Sequence, residues 1–197
     1  PDGKIVTTSE GEYKARALII ATGARRRELG VSGEQEFMGR GVSYCATCDG
    51  AFFRGAPVAV VGGGESALKE ALYLAEIASK VYLVHRREGF RASRDTVEKL
   101  MKHPKIEKKL NRVVARVEGD SLMNRLVLQD VHKRSEEVLE VEGLFVSIGL
   151  VAGAEFTGGL LEMQDGYIVT DQDMQTSVPG IFAAGDIRAK HMRQIAT

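Results

Sequence analysis

Residues 57–91, PVAVVGGGESALKEALYLAEIASKVYLVHRREGFR, constrain this chain more than any other stretch. The apolar residues 58–61 predict a buried strand, the glycines after them a tight turn, residues 65–79 a helix, and residues 81–84 a second strand. Strand, turn, helix and strand in that order form a βαβ unit, and its turn carries Gly62-x-Gly64-x-x-Ala67. One glycine permits the bend, another lets the backbone approach a pyrophosphate, and the small third residue lets helix and strand pack closely. The free N–H groups and positive dipole end of the helix then face the diphosphate. This is a dinucleotide site.

The end of the second strand selects the dinucleotide. An NAD site places Asp or Glu about 20 residues on, to hold the ribose 2′-hydroxyl. This chain has His85-Arg86-Arg87 there, followed by Arg91. A carboxylate repels a 2′-phosphate, whereas guanidinium groups bind it bidentately. A solvated basic loop is the alternative; joined to the glycine turn, the cluster favours NADP(H).

Composition excludes several classes. With 27 Lys plus Arg against 27 Asp plus Glu, the formal charge is zero, which argues against a general nucleic-acid or membrane-surface role. No apolar run approaches the roughly 18 residues of a membrane helix, and no signal peptide is visible. Only two cysteines occur, too few for a disulfide-stapled secreted domain. A cytoplasmic location is the expectation.

Along the chain, residues 4–8 and 13–20 predict a hairpin about a turn at 9–12, and the glycine-rich segment 25–41 a crossover between domains. Residues 93–102 predict a helix. Segments 106–117, 124–131 and 138–148 predict strands of one sheet, and residues 180–186 a final strand.

Cys45-Ala46-Thr47-Cys48-Asp49-Gly50 stands just before the βαβ unit. A Cys-x-x-Cys has three ordinary meanings. Half a zinc site needs two more ligands, and His85, His103, His132 and His191 show no matching spacing. Two inert core cysteines are a second reading. The third is a redox dithiol that closes a small disulfide and exchanges near neutral pH, with Asp49 as proton donor or acceptor to a departing thiolate. Asp49 also suits an ordinary turn. A dithiol beside an NADP site implies electron traffic, and because nicotinamide is a poor direct donor to a disulfide, a flavin is expected between them.

Five motifs in order resemble those of the low-molecular-weight thioredoxin reductases: Ala21-Thr22-Gly23, residues 45–50, residues 62–67, His85-Arg86-Arg87-x-x-Phe90-Arg91-Ala92, and residues 180–186 with Arg193-Gln194. The resemblance implies an α/β chain with a three-layer Rossmann-like NADP-binding domain, parallel sheet and β-meander, over about 43–172. Partial FAD-binding segments at 1–42 and 173–197 bracket it. It further implies a relay from NADPH through FAD to the cysteine pair and on to thioredoxin or a thioredoxin-like protein, in a homodimeric parent. By that carry-over Cys48 lies against the flavin, Cys45 exchanges with thioredoxin, and Asp49 is the acid–base partner. The resemblance also implies that Gly64, Glu65, Ser66, His85, Arg86, Arg87 and Arg91 bind NADPH, that Asp186 holds the flavin's ribityl chain, and that Arg193 and Gln194 lie near its ring. Hinges are expected near residues 40–43 and 170–176.

The departures carry expectations of their own. The family's N-terminal Gly-x-Gly-x-x-Gly for FAD is absent, and the sequence ends at Thr197 where the family continues, so the chain reads as a fragment that holds flavin weakly; the alternatives are an NADP(H)-binding module without turnover and a related NADPH-flavin disulfide reductase with a different acceptor. Leu150-Val151-Ala152-Gly153 replaces a His-x-Pro-Asn-like loop. Without the rest of their sheet, the apolar segments 13–20 and 180–184 are expected to leave one edge open and prone to association, and three outcomes stand for them: pairing with each other, disorder, or contact with another copy of the chain.

Overall fold

Pro57–Val61 is the central strand of a five-stranded, all-parallel sheet in a computed structural model that describes residues 3–190. Across the sheet the order is Val42–Ser43, Gly143–Val146, Pro57–Val61, Lys80–His85, Ile106–Leu110. The helices are a one-turn α1 (Ala46–Asp49), α2 (Glu65–Ala75) and α3 (Arg94–Lys102). Strands of a parallel sheet are covered on both faces, so their residues do not alternate in polarity. They alternate in the core they enter. Val58, Val60, Val81, Leu83 and Phe145 pack with Leu68, Leu74 and Leu100 of the helices. Ala59, Val61, Val84, Leu144 and Val146 pack with Val114, Val117, Leu126 and Leu128 on the other side.

That second face is covered by an antiparallel meander, Arg112–Gly119, Met123–Asp130 and Glu136–Glu140, with the middle strand in sequence also the middle one in space. Helices, parallel sheet and meander make the three layers of a Rossmann-like α/β fold.

Two expected strands prove to belong to two sheets each. Residues 106–110 finish the parallel sheet; Asn111 then takes φ 53° and the chain starts the meander at Arg112. Likewise Glu136–Glu140 closes the meander while Gly143–Val146 crosses into the parallel sheet. One residue separates the strands of the first pair and two those of the second, so no gap in the sequence marks the transfer. Helix α2 stops at Ala75 rather than residue 79, where Lys105 Nζ donates to the carbonyls of Ala75 (3.0 Å) and Ala78 (3.1 Å) and closes its end.

Packing divides the chain into two units, residues 27–149 in one, and residues 1–26 with 150–197 in the other. The sequence motifs place the boundaries at 42/43 and 172/173 instead. The chain passes between the units elsewhere because residues 27–42 pack with the meander side of the first: Phe37 and Val42 are buried there. Of residues 40–43, Val42 and Ser43 form the outer strand of the parallel sheet, and residues 170–176 lie within the second unit.

In the second unit, Lys4–Thr8 pairs with Gly11–Ala15 as a hairpin. The strand expected over 13–20 breaks after Ala15, and Leu18–Ile20 instead pairs in parallel with Ile181–Ala183. The two apolar segments do meet each other. Ala24–Arg26 pairs with Leu150–Ala152, and Ile20, Leu161, Ile168, Ile181 and Ile187 form a small separate core. No helix among the described residues is long and apolar enough to cross a membrane.

Candidate active site

Gly62 follows the central strand with φ 154°, and its N–H donates to the Val84 carbonyl (3.0 Å). A Cβ there would overlap the Ser147 carbonyl and come within 2.5 Å of the Ala67 Cβ. The first glycine and the small third residue of the motif are therefore one packing requirement. Gly64 is the N-cap of α2 and supplies no side-chain cap, which leaves N–H groups of the first turn for an anion. Ser66 is exposed in that turn.

The arginine loop is fastened to the glycine turn. Arg91 N donates to the Gly63 carbonyl (2.6 Å), and Gly64 and Arg91 form a parallel bridge. The His85 ring packs against Gly63, stacks on Phe90 (centroids 5.6 Å apart) and meets the Gly89 carbonyl through Nε2 (3.2 Å). Burial lowers the His85 pKa, and the charges of Arg86, Arg87 and Arg91 lower it further against that hydrogen bond, which raises it. Arg86, Arg87 and Arg91 are all exposed, and among the described residues no carboxylate pairs with any of them. The Glu65 carboxylate has protein partners instead: it accepts from Ser93 N (2.8 Å) and the Thr96 hydroxyl (2.8 Å).

Cys45 and Cys48 are joined in a disulfide, with Cα atoms 5.3 Å apart. Cys45 is the N-cap of α1, and its Sγ accepts from Cys48 N (3.3 Å). Asp49 closes α1, and the buried Ser43 hydroxyl donates to its Oδ2 (2.6 Å) while accepting from Cys45 N (3.0 Å). One hydroxyl thus ties carboxylate and redox turn together.

These groups share an edge. Val42–Ser43, Pro57–Val61 and Lys80–His85 are parallel, so Cys45, the glycine turn and the arginine loop all follow carboxyl ends on one side of the sheet. Ligands of open α/β sheets bind at that side. Only the strand Gly143–Val146 lies between the first two, so the disulfide and the turn leave the sheet two strand spacings apart, about 9.5 Å.

Sequence reasoning missed three contributors. Ser43 adjoins the cysteine motif and was within reach of it. Glu34, 1% exposed, lies in a segment read as polar crossover; it accepts from Leu29 N (2.8 Å), Gly30 N (2.7 Å) and the Tyr44 hydroxyl (2.7 Å), next to Cys45. No local signal marks it. A shallow cavity of about 330 Å³ touches Ser43 and Asp49, with Arg40, Phe53 and Phe52 among its other walls. Phe53 packs edge-on against Phe145 (5.3 Å), whereas Phe52 is 85% exposed.

In the second unit Asp186 lies in a short turn, Gly185–Ile187, and pairs with Lys190 (3.0 Å). Arg193 and Gln194 lie outside the described residues.

A family model described as pyridine nucleotide-disulphide oxidoreductase matches residues 2–197. The chain is 47% identical over 197 residues to a thioredoxin reductase of Listeria innocua, covering 98% of this chain and 61% of that protein. The solved thioredoxin reductase of Lactococcus lactis superposes with TM-score 0.79 at 41% identity, covering all of this chain and 65% of that one. That of Streptococcus pyogenes gives 0.81 at 40% identity, again with 100% and 65% covered. The chain thus spans a little under two thirds of the length of these relatives.

Proposed function

This chain belongs to the pyridine nucleotide-disulphide oxidoreductase family, and from that premise we propose that it carries the nucleotide and disulfide chemistry of an NADPH-dependent thioredoxin reductase. One observation carries the reading: a Cys45–Cys48 disulfide and a glycine turn with an unpaired arginine loop leave the same edge of one sheet. The N–H groups about Gly62, Gly64 and Ser66 receive the diphosphate, Ala67 allows the close packing behind them, and Arg86, Arg87 and Arg91 take the 2′-phosphate beside His85. FAD, when bound, supplies the two-electron relay that nicotinamide and disulfide lack between them. Asp186 is its one described contact in this reading; Arg193 and Gln194 complete it.

The chain's own residues perform the exchange. In the reduced pair, the Cys45 thiolate attacks a partner disulfide; one partner sulfur leaves and is protonated, and a mixed disulfide remains. The Cys48 thiolate then attacks Cys45 Sγ, expels the second partner thiolate and restores the Cys45–Cys48 bond. Asp49, held by Ser43, delivers the proton. Beside it the exposed Phe52 and the cavity favour a protein partner, thioredoxin or a thioredoxin-like protein, over a small disulfide. A homodimeric parent in the cytoplasm, without nucleic-acid or membrane partners, completes the proposal.

The test is NADPH oxidation coupled to thioredoxin reduction by the full-length protein supplied with FAD. Cys45→Ser and Cys48→Ser each abolish turnover and leave NADPH binding unchanged. Turnover that survives loss of both cysteines overturns the assignment.

A further inference from the structure

Glu65 sits at the first position of α2, where a diphosphate approaches and where a carboxylate pointed at it is repulsive. The structure turns that carboxylate elsewhere. Oε2 accepts from Ser93 N (2.8 Å), Oε1 accepts from the Thr96 hydroxyl (2.8 Å) and the Ser93 hydroxyl (3.4 Å), and Lys69 pairs with Oε1 (3.2 Å). Ser93 is the N-cap of α3, and its own hydroxyl also meets Thr96 Oγ1 (2.8 Å). One carboxylate therefore joins the first turn of α2 to the first turn of α3.

Between those helices the chain runs through strand Lys80–His85 and then the loop with Arg86, Arg87 and Arg91. The loop is held at its start by His85 against Gly63 and Gly89, and near its end by Arg91 N on the Gly63 carbonyl. Glu65 adds the anchor just past Arg91. Backbone contacts at Gly63 and Gly64 and the packing of Phe90 and Ala92 hold Arg91 from the other side, and the carboxylate is the polar tie to α3.

We propose that Glu65 is a positioning residue and not a cofactor ligand: by tying α2 to Ser93 and Thr96 it sets the distance between the diphosphate turn and the guanidinium groups that meet the 2′-phosphate, and so determines discrimination between NADPH and NADH. This rests on the nucleotide assignment above. Ser93 N–H, the Thr96 hydroxyl and Lys69 hold the Glu65 carboxyl down to about 2, so the clip is ionised across the neutral range.

Calorimetric titration of NADPH and, separately, NADH into the full chain tests it, on wild type, Glu65→Gln and Thr96→Val, with thermal melts recorded for each. Wild type binds NADPH more tightly; both variants weaken NADPH, Glu65→Gln by about tenfold, while NADH changes by no more than about twofold. A residue needed only for folding lowers the melting temperature and leaves that ratio intact. Wild type without a preference overturns the nucleotide assignment and this proposal with it. Preference in wild type with the same ratio in both variants overturns the proposal alone, as does an equal loss for the two cofactors, which makes Glu65 a ligand of their common part. Should Glu65→Gln not fold, the Thr96→Val ratio decides.

Discussion

The imidazole of His85 rests directly on the backbone of Gly63, leaving no room for a methyl group at position 63. Gly63 is the variable middle position of the glycine turn, so nucleotide contact is not what requires a glycine there. The neighbouring strand does. Gly63→Ala forces the ring off Phe90 and the Gly89 carbonyl, with an overpacking cost of about 1–3 kcal/mol. Denaturant unfolding of Gly63→Ala, His85→Ala and the double variant checks this: the double variant is more stable than the sum of the single losses predicts. Simple additivity means the clash is not the cause.

Neutralising Arg86 and Arg87 together weakens NADPH by about 10–100-fold, since hydrogen bonds to a charged phosphate are among the stronger ones. NADH has no 2′-phosphate and changes little. Competition with 2′,5′-ADP measures the same loss without the nicotinamide, and a 2′,5′-ADP affinity that survives the substitutions contradicts the assignment.

Ser43→Ala removes the hydroxyl that donates to Asp49 Oδ2 and accepts from Cys45 N. Asp49 then loses the hydrogen bond that orients it. Thioredoxin reduction slows by about tenfold or more, the pH–rate profile shifts, and NADPH binding is untouched. An unshifted profile with full NADPH affinity removes Ser43 from the proton path.

Glu34, 1% exposed, accepts from three donors at once, Leu29 N, Gly30 N and the Tyr44 hydroxyl. Glu34→Gln turns its amide against one of them, and an unmet buried donor costs about 1–3 kcal/mol. We expect a loss of about 2–4 kcal/mol in urea unfolding. A loss below about 0.5 kcal/mol marks the carboxylate as dispensable.

The Glu65 clip has a defined response to acid. Its carboxyl is lowered from 4.5 to about 2, led by the Ser93 N–H, then by the Thr96 hydroxyl and Lys69. A carboxyl lowered in the fold stabilises it fully above its unfolded value and stops doing so as pH falls through the folded one. Glu65→Gln is therefore less stable than wild type at pH 7, and the gap narrows between about pH 4.5 and pH 2. Melting temperatures of both proteins at pH 7, 5 and 3 follow it; a gap that widens in acid has the wrong sign.

What was legible in the chain alone is local and periodic. Apolar residues 58–61, the glycines after them, the spacing to a second strand and the basic loop specify a βαβ unit with its turn, because close approach of backbone to backbone admits only small residues. Cys45 and Cys48 announce themselves by spacing in the same way. Tertiary packing alone decided which sheet each later strand joins, since Ile106–Leu110 and Arg112–Gly119 differ by one residue with positive φ and not by pattern. It also decided that Leu18–Ile20 pairs with Ile181–Ala183, that a buried Glu34 braces Tyr44, and that Glu65 faces α3 and not the turn it begins. Each of those outcomes joins residues far apart in sequence or sets where a side chain points, and no local spacing encodes either.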